Sequence, residues 1–243
     1  MTAQLRSELL KLRTTRTTAL LLLGAVGLTL FAACVEGISP SINKLAHQQT
    51  QRELFSAVTS GVLFATFAGL LAVTSEFRYG TIRPTLLVEP RRRVVLAAKL
   101  CAAAFAGIVI AAVTVAVAFA GGLTLLAVRG VDYTVSGPHT LELVLGSIAT
   151  ATLSAVIGAM VGTLIRNQSS AILALVVYAF VVDAVLFAAV PSAGRFLPGK
   201  AGDALLGRPV DGLLAPGAGA LVLTLWAAAF VSSALLWVGR RDV

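Results

Sequence analysis

Three places in this chain hold residue types able to do chemistry at a telling spacing. The first is Gly194-Arg195-Phe196-Leu197-Pro198-Gly199-Lys200-Ala201, one residue short of the phosphate-cradling pattern G-x-x-x-x-G-K-[S/T]. That pattern needs a hydroxyl after the lysine to hold magnesium, and Ala201 has none. It also needs a preceding strand, and none is legible, so no nucleotide site is expected here. The second is Asp183, a lone carboxylate within an apolar run. At mid-membrane such a group costs about 2.5 to 3.5 kcal/mol on insertion scales, so it must face protein or water. Two readings stand: a contact on a substrate path or gate, or a structural hydrogen bond near a neighbouring helix or the outer interface. The third is the polar stretch 75–99, which carries six of the nineteen Lys and Arg: Arg78, Arg83, Arg91, Arg92, Arg93 and Lys99.

Other reactive groupings are missing from the sequence. Both histidines, His47 and His139, fall in loops, and no HExxH, paired aspartates or GxSxG occurs. Metal and covalent catalysis therefore have no support, no catalytic residue or metal site is expected, and the chain reads as a non-enzyme.

The elements that must position these residues are membrane helices. The sequence is 58% hydrophobic and only 12% charged, with a mean hydropathy of +0.92; soluble domains are about one quarter charged. Six runs reach the roughly 20 apolar residues a bilayer demands, at about 18–35, 54–74, 100–128, 141–165, 170–190 and 218–238. Continuous rather than alternating hydrophobicity excludes a barrel. The third run is long enough to tilt or break, and Gly121-Gly122 is the expected break. The reading is an all-α integral membrane fold of six transmembrane helices, a single domain over 1–243.

The net charge of +8 is a topology signal rather than a nucleic-acid footprint. With the amino terminus inside, thirteen cations are cytoplasmic: Arg6, Lys11, Arg13, Arg16, the six of the 75–99 stretch, Arg166, Arg240 and Arg241. Six are outside: Lys44, Arg52, Arg129, Arg195, Lys200 and Arg208. That excess places both termini in the cytoplasm and favours contact with anionic lipids. Cys34 and Cys101 fall near opposite faces and cannot pair within one chain. Phe31-Ala32-Ala33-Cys34 faintly resembles a lipoprotein cleavage site, but the basic tail and five further spans read better as an uncleaved first helix.

Residues 1–17 form an expected helix with Leu5, Leu9 and Leu12 on one stripe and Arg6, Arg13 and Arg16 largely off it. Such a helix lies along the inner leaflet; a plain basic anchoring tail is the alternative. Gly146, Thr150, Ser154, Gly158 and Gly162 recur every fourth residue of the fourth span and should pack closely on another helix, of this chain or of a second copy. Residues 191–217 are rich in Pro and Gly yet contain Leu205-Leu206 and Leu213-Leu214, an outer loop expected to dip back into the membrane edge. Asn167-Gln168-Ser169 matches a glycosylation sequon on the cytoplasmic side, where it has no meaning. Trp237 and Tyr133 read as inner and outer interface anchors.

Within 75–99, Glu76 and Arg78 close the second span, Gly80 allows a sharp turn, and Thr81 is placed to cap a short helix. Ile82 and Leu86 lie on one face of it, and Pro90 stops it. Arg91, Arg92 and Arg93 then open the next helix, opposing its dipole, which suits lipid headgroups or an acidic partner. The pattern Glu76-x-x-x-Gly80-Thr81-Ile82-Arg83, then Leu86-Leu87, Pro90, Arg92 and Ala98-Lys99, resembles the type 2 ATP-binding-cassette (ABC) permease family. So do the opening Glu8-Leu9-Leu10-Lys11-Leu12-Arg13 and six spans with both ends inside.

The resemblance implies a dimeric membrane unit, a second copy or a homologous permease, joined to two separate ATPase subunits that bind ATP and Mg. It implies that the loop between spans two and three is a coupling helix seated in the ATPase. Gly80 to Pro90 would be the coupling element, Glu76 and Arg78 its root, and Arg91 to Arg93 its flank. It also implies that the segment after span five is an outer gate. This reading is a permease subunit of an exporter in a bacterial cell membrane, moving an amphipathic drug, peptide or lipid-like substrate. A non-transporting assembly or regulatory subunit is the second reading, and a membrane-embedded enzyme the third.

Overall fold

A computed structural model describes residues 2–208 and 210–240. The described residues are helical or irregular, with no strand among them. In chain order the helices are α1 (Thr2–Thr14), α2 (Arg16–Ile38), α3 (Ile42–Leu45), α4 (Gln48–Phe55), α5 (Thr59–Arg78), α6 (Ile82–Val88), α7 (Arg92–Val128), α8 (Gly137–Ile165), α9 (Gln168–Val177), α10 (Asp183–Ala189), α11 (Pro191–Gly194), α12 (Pro198–Leu205) and α13 (Pro216–Arg240). A 3₁₀ turn, Ser56–Val58, joins α4 to α5, and a π turn, Tyr178–Val182, joins α9 to α10. Six of these units are long and apolar enough to cross a bilayer. This is a multi-pass membrane protein.

Close approach of backbones builds the centre, as expected where lipid gives no hydrophobic drive between helices. A Cβ on Gly69 of α5 would overlap the Ala155 carbonyl of α8, and one on Gly158 would overlap the Thr66 carbonyl of α5. On α7, a Cβ at Gly107 would sit 2.7 Å from the Ala151 carbonyl oxygen. Helices α5, α7 and α8 thus form a tight core, with α2 and α13 on its flanks and the α9–α10 unit largely exposed outside.

The small-residue stripe of α8 packs within this chain. A four-residue step advances about 40° beyond a full turn, so the stripe winds around the helix. Gly158 and Gly162 face α5, while a Cβ on Gly146 would overlap the Leu205 carbonyl at the end of α12, and Thr150 meets Gly202. Ser154 stays half-buried between the two faces.

Several expectations are corrected. Helix α7 runs unbroken through Gly121 and Gly122. The glycine at 122 is there for space, because a Cβ would lie 2.6 Å from the Phe55 ring. Helix α7 opens at Arg92, as the arginine run after Pro90 suggests, eight residues before the apolar run at 100, so Lys99, counted with the loop, is instead buried two turns inside the helix. The loop itself shrinks to 79–91. Thr81 occupies the N-cap position of α6, but its side chain makes no capping bond; its carbonyl accepts from the Thr85 hydroxyl at 3.0 Å.

Candidate functional site

At one end of the bundle lie α1, the close of α5, the short helix α6, the start of α7 and the ends of α8 and α13. Residues near both ends of the sequence therefore share a side. Gly80 turns the chain out of α5 with φ of +70° and open space around it, which glycine alone adopts without strain. Helix α6 follows, and Glu89 is extended at its close, as the residue before Pro90 must be.

The outer face of this excursion is apolar and bare. Leu87 is 85% exposed, Val88 84% and Tyr79 72%. Arg78, Arg83, Arg91 and Arg93 surround them, also exposed, while Ile82 and Arg92 are half-buried. Arg78 donates to Gln168 Oε1 at 3.3 Å and lies over the Tyr79 ring. The Leu86 side chain and Arg241 fall outside the described positions.

Beneath the excursion is a ring of four charges. Lys11 Nζ lies 2.7 Å from both Glu8 Oε1 and Glu76 Oε1. Lys99 Nζ lies 2.6 Å from Glu76 Oε1 and 3.2 Å from Glu8 Oε2. Glu8, Glu76 and Lys99 are buried, and Lys11 covers them from the rim with 43% of its side chain exposed. The ring ties α1 to both stems of the loop, α5 before it and α7 after it. Signs alternate around it, so no charge is buried without a partner. Burial works against the Lys11 charge, but the Glu76 and Glu8 carboxylates outweigh it and hold its pKa above the ordinary 10.5.

Two sequence expectations change with this geometry. Glu76 and Arg78 are expected together at the root of the coupling element, but they part there: Arg78 is exposed, while the Glu76 carboxylate turns into the bundle. The leucine stripe of α1 is half-buried against the protein, and Leu12 joins the core beside Ala25, Ala65 and Ala106. Glu8, Lys11 and Lys99 all stood in sequence patterns noted for other reasons. Their only signal as a unit was charge on the apolar side of a helix.

A second clamp closes the same end. Arg166 adopts the left-handed conformation, φ 56°, after α8. Its guanidinium lies 4.2 Å from the Trp237 ring centroid and 5.6 Å from that of Phe77, joining α8 to α13 and α5. Asn167 caps α9, its side chain accepting from Ser170 N–H at 3.0 Å, which accounts for the asparagine of the sequon-like triplet.

At the opposite end, α11 and α12 fold back between α10 and the α8–α13 pair. Asp183 is buried there, 3.4 Å from Lys200 Nζ and from the Tyr178 hydroxyl, which donates to it. Lys200 is the lysine of the phosphate-loop look-alike, and its partner is this carboxylate. Arg129 closes α2 by donating to the Gly37 and Pro40 carbonyls at 2.7 and 2.8 Å. Gln51, fully buried and overlooked in the sequence, donates to the Asp132 carbonyl and accepts from Thr134 N–H, both at 2.8 Å. No group of three or more metal-ligating side chains occurs among the described residues.

Comparison with known proteins gives one family. The profile described as ABC-2 family transporter protein matches residues 4–182. The matched stretch contains all four ring charges and the whole 79–91 excursion, and it ends one residue before Asp183. No curated protein matches the chain.

Proposed function

The chain belongs to the ABC-2 transporter family, a family of membrane transport permeases, and from that premise we propose that it is the membrane subunit of an ATP-driven exporter whose α6 excursion docks a separate ATPase. The supporting observation is the bare apolar tip of Tyr79, Leu87 and Val88, ringed by arginines, on stems locked by buried charge. The positive-inside excess supports a cytoplasmic position for this end. An apolar tip in water costs free energy unless a partner covers it, and clustered exposed apolar residues with a basic rim are the mark of a protein interface.

The mechanism is a linkage. ATP closes the ATPase pair, which binds one position of the α6 excursion better than another, and the spans follow between inward-open and outward-open forms. ATP and Mg sit on the partner, and this chain makes and breaks no covalent bond. A second copy, or a homologous permease, completes the translocation path, and the α11–α12 segment serves as its outer gate. Glu76, Lys99, Glu8 and Lys11 act as positioning residues, since a loop with loose stems could not pass motion to the spans. The α1 helix, with Arg6 and Arg13 exposed, rests against the anionic inner leaflet of the plasma membrane.

The experiment is affinity purification of the tagged chain from its native membrane, with ATP hydrolysis measured on the eluate. An ATPase should co-purify, and Leu87→Asp/Val88→Asp should lose it while leaving the melting temperature unchanged. An eluate without ATPase sinks the transporter reading in favour of a regulatory subunit.

A further inference from the structure

Resting on the transporter reading, and deepening it, we propose that the Asp183 pocket is a socket for an ammonium group, that Lys200 is its tethered occupant at rest, and that the substrates are amphipathic organic cations. The socket has the parts such recognition needs. Asp183 supplies a buried carboxylate. One helical turn on, Phe187 presents its ring, with Lys200 Nζ 5.1 Å from the centroid, within cation–π range.

The π turn completes it. Asp183 N–H bonds to the Tyr178 carbonyl five residues back. That wider turn sets the Tyr178 hydroxyl against Asp183 Oδ1, and single π turns within α-helices are frequent at functional sites. Gly199 admits the lysine, because a Cβ there would lie 2.6 Å from Asp183 Oδ1.

The occupant is held by long contacts. Its distances to Asp183 and Asp203, 3.4 and 3.3 Å, exceed the roughly 2.7 to 2.9 Å of a strong charge-assisted bond. On leaving Asp183, Lys200 keeps Asp203, which Arg208 also holds at 3.0 Å, so no cation is stranded. Among the described residues Lys200 is the cation paired with Asp183, so its departure calls for another ammonium. An apolar tail on the incoming molecule would lie along the exposed Leu186, three residues on along the same helix. Opening the α11–α12 segment therefore trades a tethered ammonium for a free one.

The test uses the full chain in nanodiscs of zwitterionic lipid. Lys200→Ala empties the socket, and butylammonium, which matches the four-carbon lysine stem, should restore the lost melting temperature. Butanol and butyrate should not, and Lys200→Ala/Asp183→Asn should show no rescue. Separately, decylammonium is titrated into the Trp237→Phe chain, leaving Trp226, whose indole N–H donates to the Phe196 carbonyl between α11 and α12 at 2.8 Å. Its emission should respond to decylammonium and not to decyl sulfate. Asp183→Asn should weaken that response about tenfold or more, and Phe187→Leu several-fold with the charge retained.

Failure of butylammonium to rescue, or equal rescue by butanol, overturns the socket. Rescue without any response of the Lys200-containing chain to decylammonium overturns the substrate assignment. Where Lys200→Ala yields no folded protein, the titration decides alone. None of these measurements involves the ATPase, so a failure here is distinct from a failure of the coupling reading.

Discussion

Replacing Lys99 by methionine removes one cation from the four-charge ring and leaves two buried carboxylates facing only Lys11. In the intact ring, Lys99 lies 2.6 Å from Glu76 and 3.2 Å from Glu8. Glu76 Oε2 already lacks a hydrogen-bond donor among the described residues, so the site has no spare donor to absorb the loss. Breaking a buried pair by deleting one partner costs about 3 to 5 kcal/mol, whereas deleting both partners is often near neutral. Lys99→Met should therefore destabilise by about 3 to 5 kcal/mol, while Glu8→Gln/Lys99→Met, which keeps the half-exposed Lys11–Glu76 pair, should return to within about 1 to 2 kcal/mol of the parent. The assay is equilibrium unfolding in mixed micelles with a rising fraction of dodecyl sulfate, followed by emission of Trp237 at the same end of the bundle. A Lys99→Met cost below about 1 kcal/mol, or a double variant as unstable as the single one, would refute the argument that the ring is an electrostatic unit.

Three further outcomes follow from other contacts. Gly158→Ala should destabilise by about 1 to 3 kcal/mol or more, since its methyl meets the rigid Thr66 carbonyl, while Gly27→Ala, with open space around it, should be neutral or slightly stabilising; the same unfolding assay ranks them. Arg129→Met should cost about 1 to 3 kcal/mol, because the carbonyls closing α2 lose their donor, and hydrogen exchange should rise at that end of α2. The Lys11 pKa is raised in the fold, so its stabilisation is complete below the ordinary lysine value and fades as pH climbs through the folded one. The parent should lose stability in that alkaline range more steeply than Lys11→Met, as read by melting temperature against pH.

Hydrophobic runs made the six spans legible, because a run of apolar residues is a local property that needs no knowledge of neighbours. Their ends were legible only in part. Helix α7 opens at Arg92, where the arginine run after Pro90 pointed, although its apolar run starts only near 100; that Lys99 in between is buried rests on pairing with Glu8 across 91 residues, which leaves no mark on a local pattern. Gly121-Gly122 was read as a break from intrinsic conformational freedom, when the governing fact was the Phe55 ring beside it. The fourfold stripe on α8 foretold close packing, but only the winding of the helix showed that it serves two partners.

The candidate site was half legible. Gly80, the short helix and Pro90 punctuate the chain locally, so the excursion was visible. The inward turn of Glu76 was not, because a carboxylate at a helix end looks the same whether it faces water or a buried lysine. Asp183 announced itself as a charge at depth, and the rule that such a charge must be paired pointed to a cation nearby. Lys200 was set aside as part of a failed nucleotide motif, although a lysine in that apolar setting needed a carboxylate for the same reason.

The most direct measurement places a single cysteine at position 87, with Cys34 and Cys101 replaced by serine, and cross-links it in native membranes with and without ATP. The account predicts an adduct between position 87 and an ATPase subunit whose yield changes with ATP, and no such adduct from a cysteine at Gly27 on α2. Cross-links from position 87 to lipid alone, or to no nucleotide-binding protein in either condition, would contradict it.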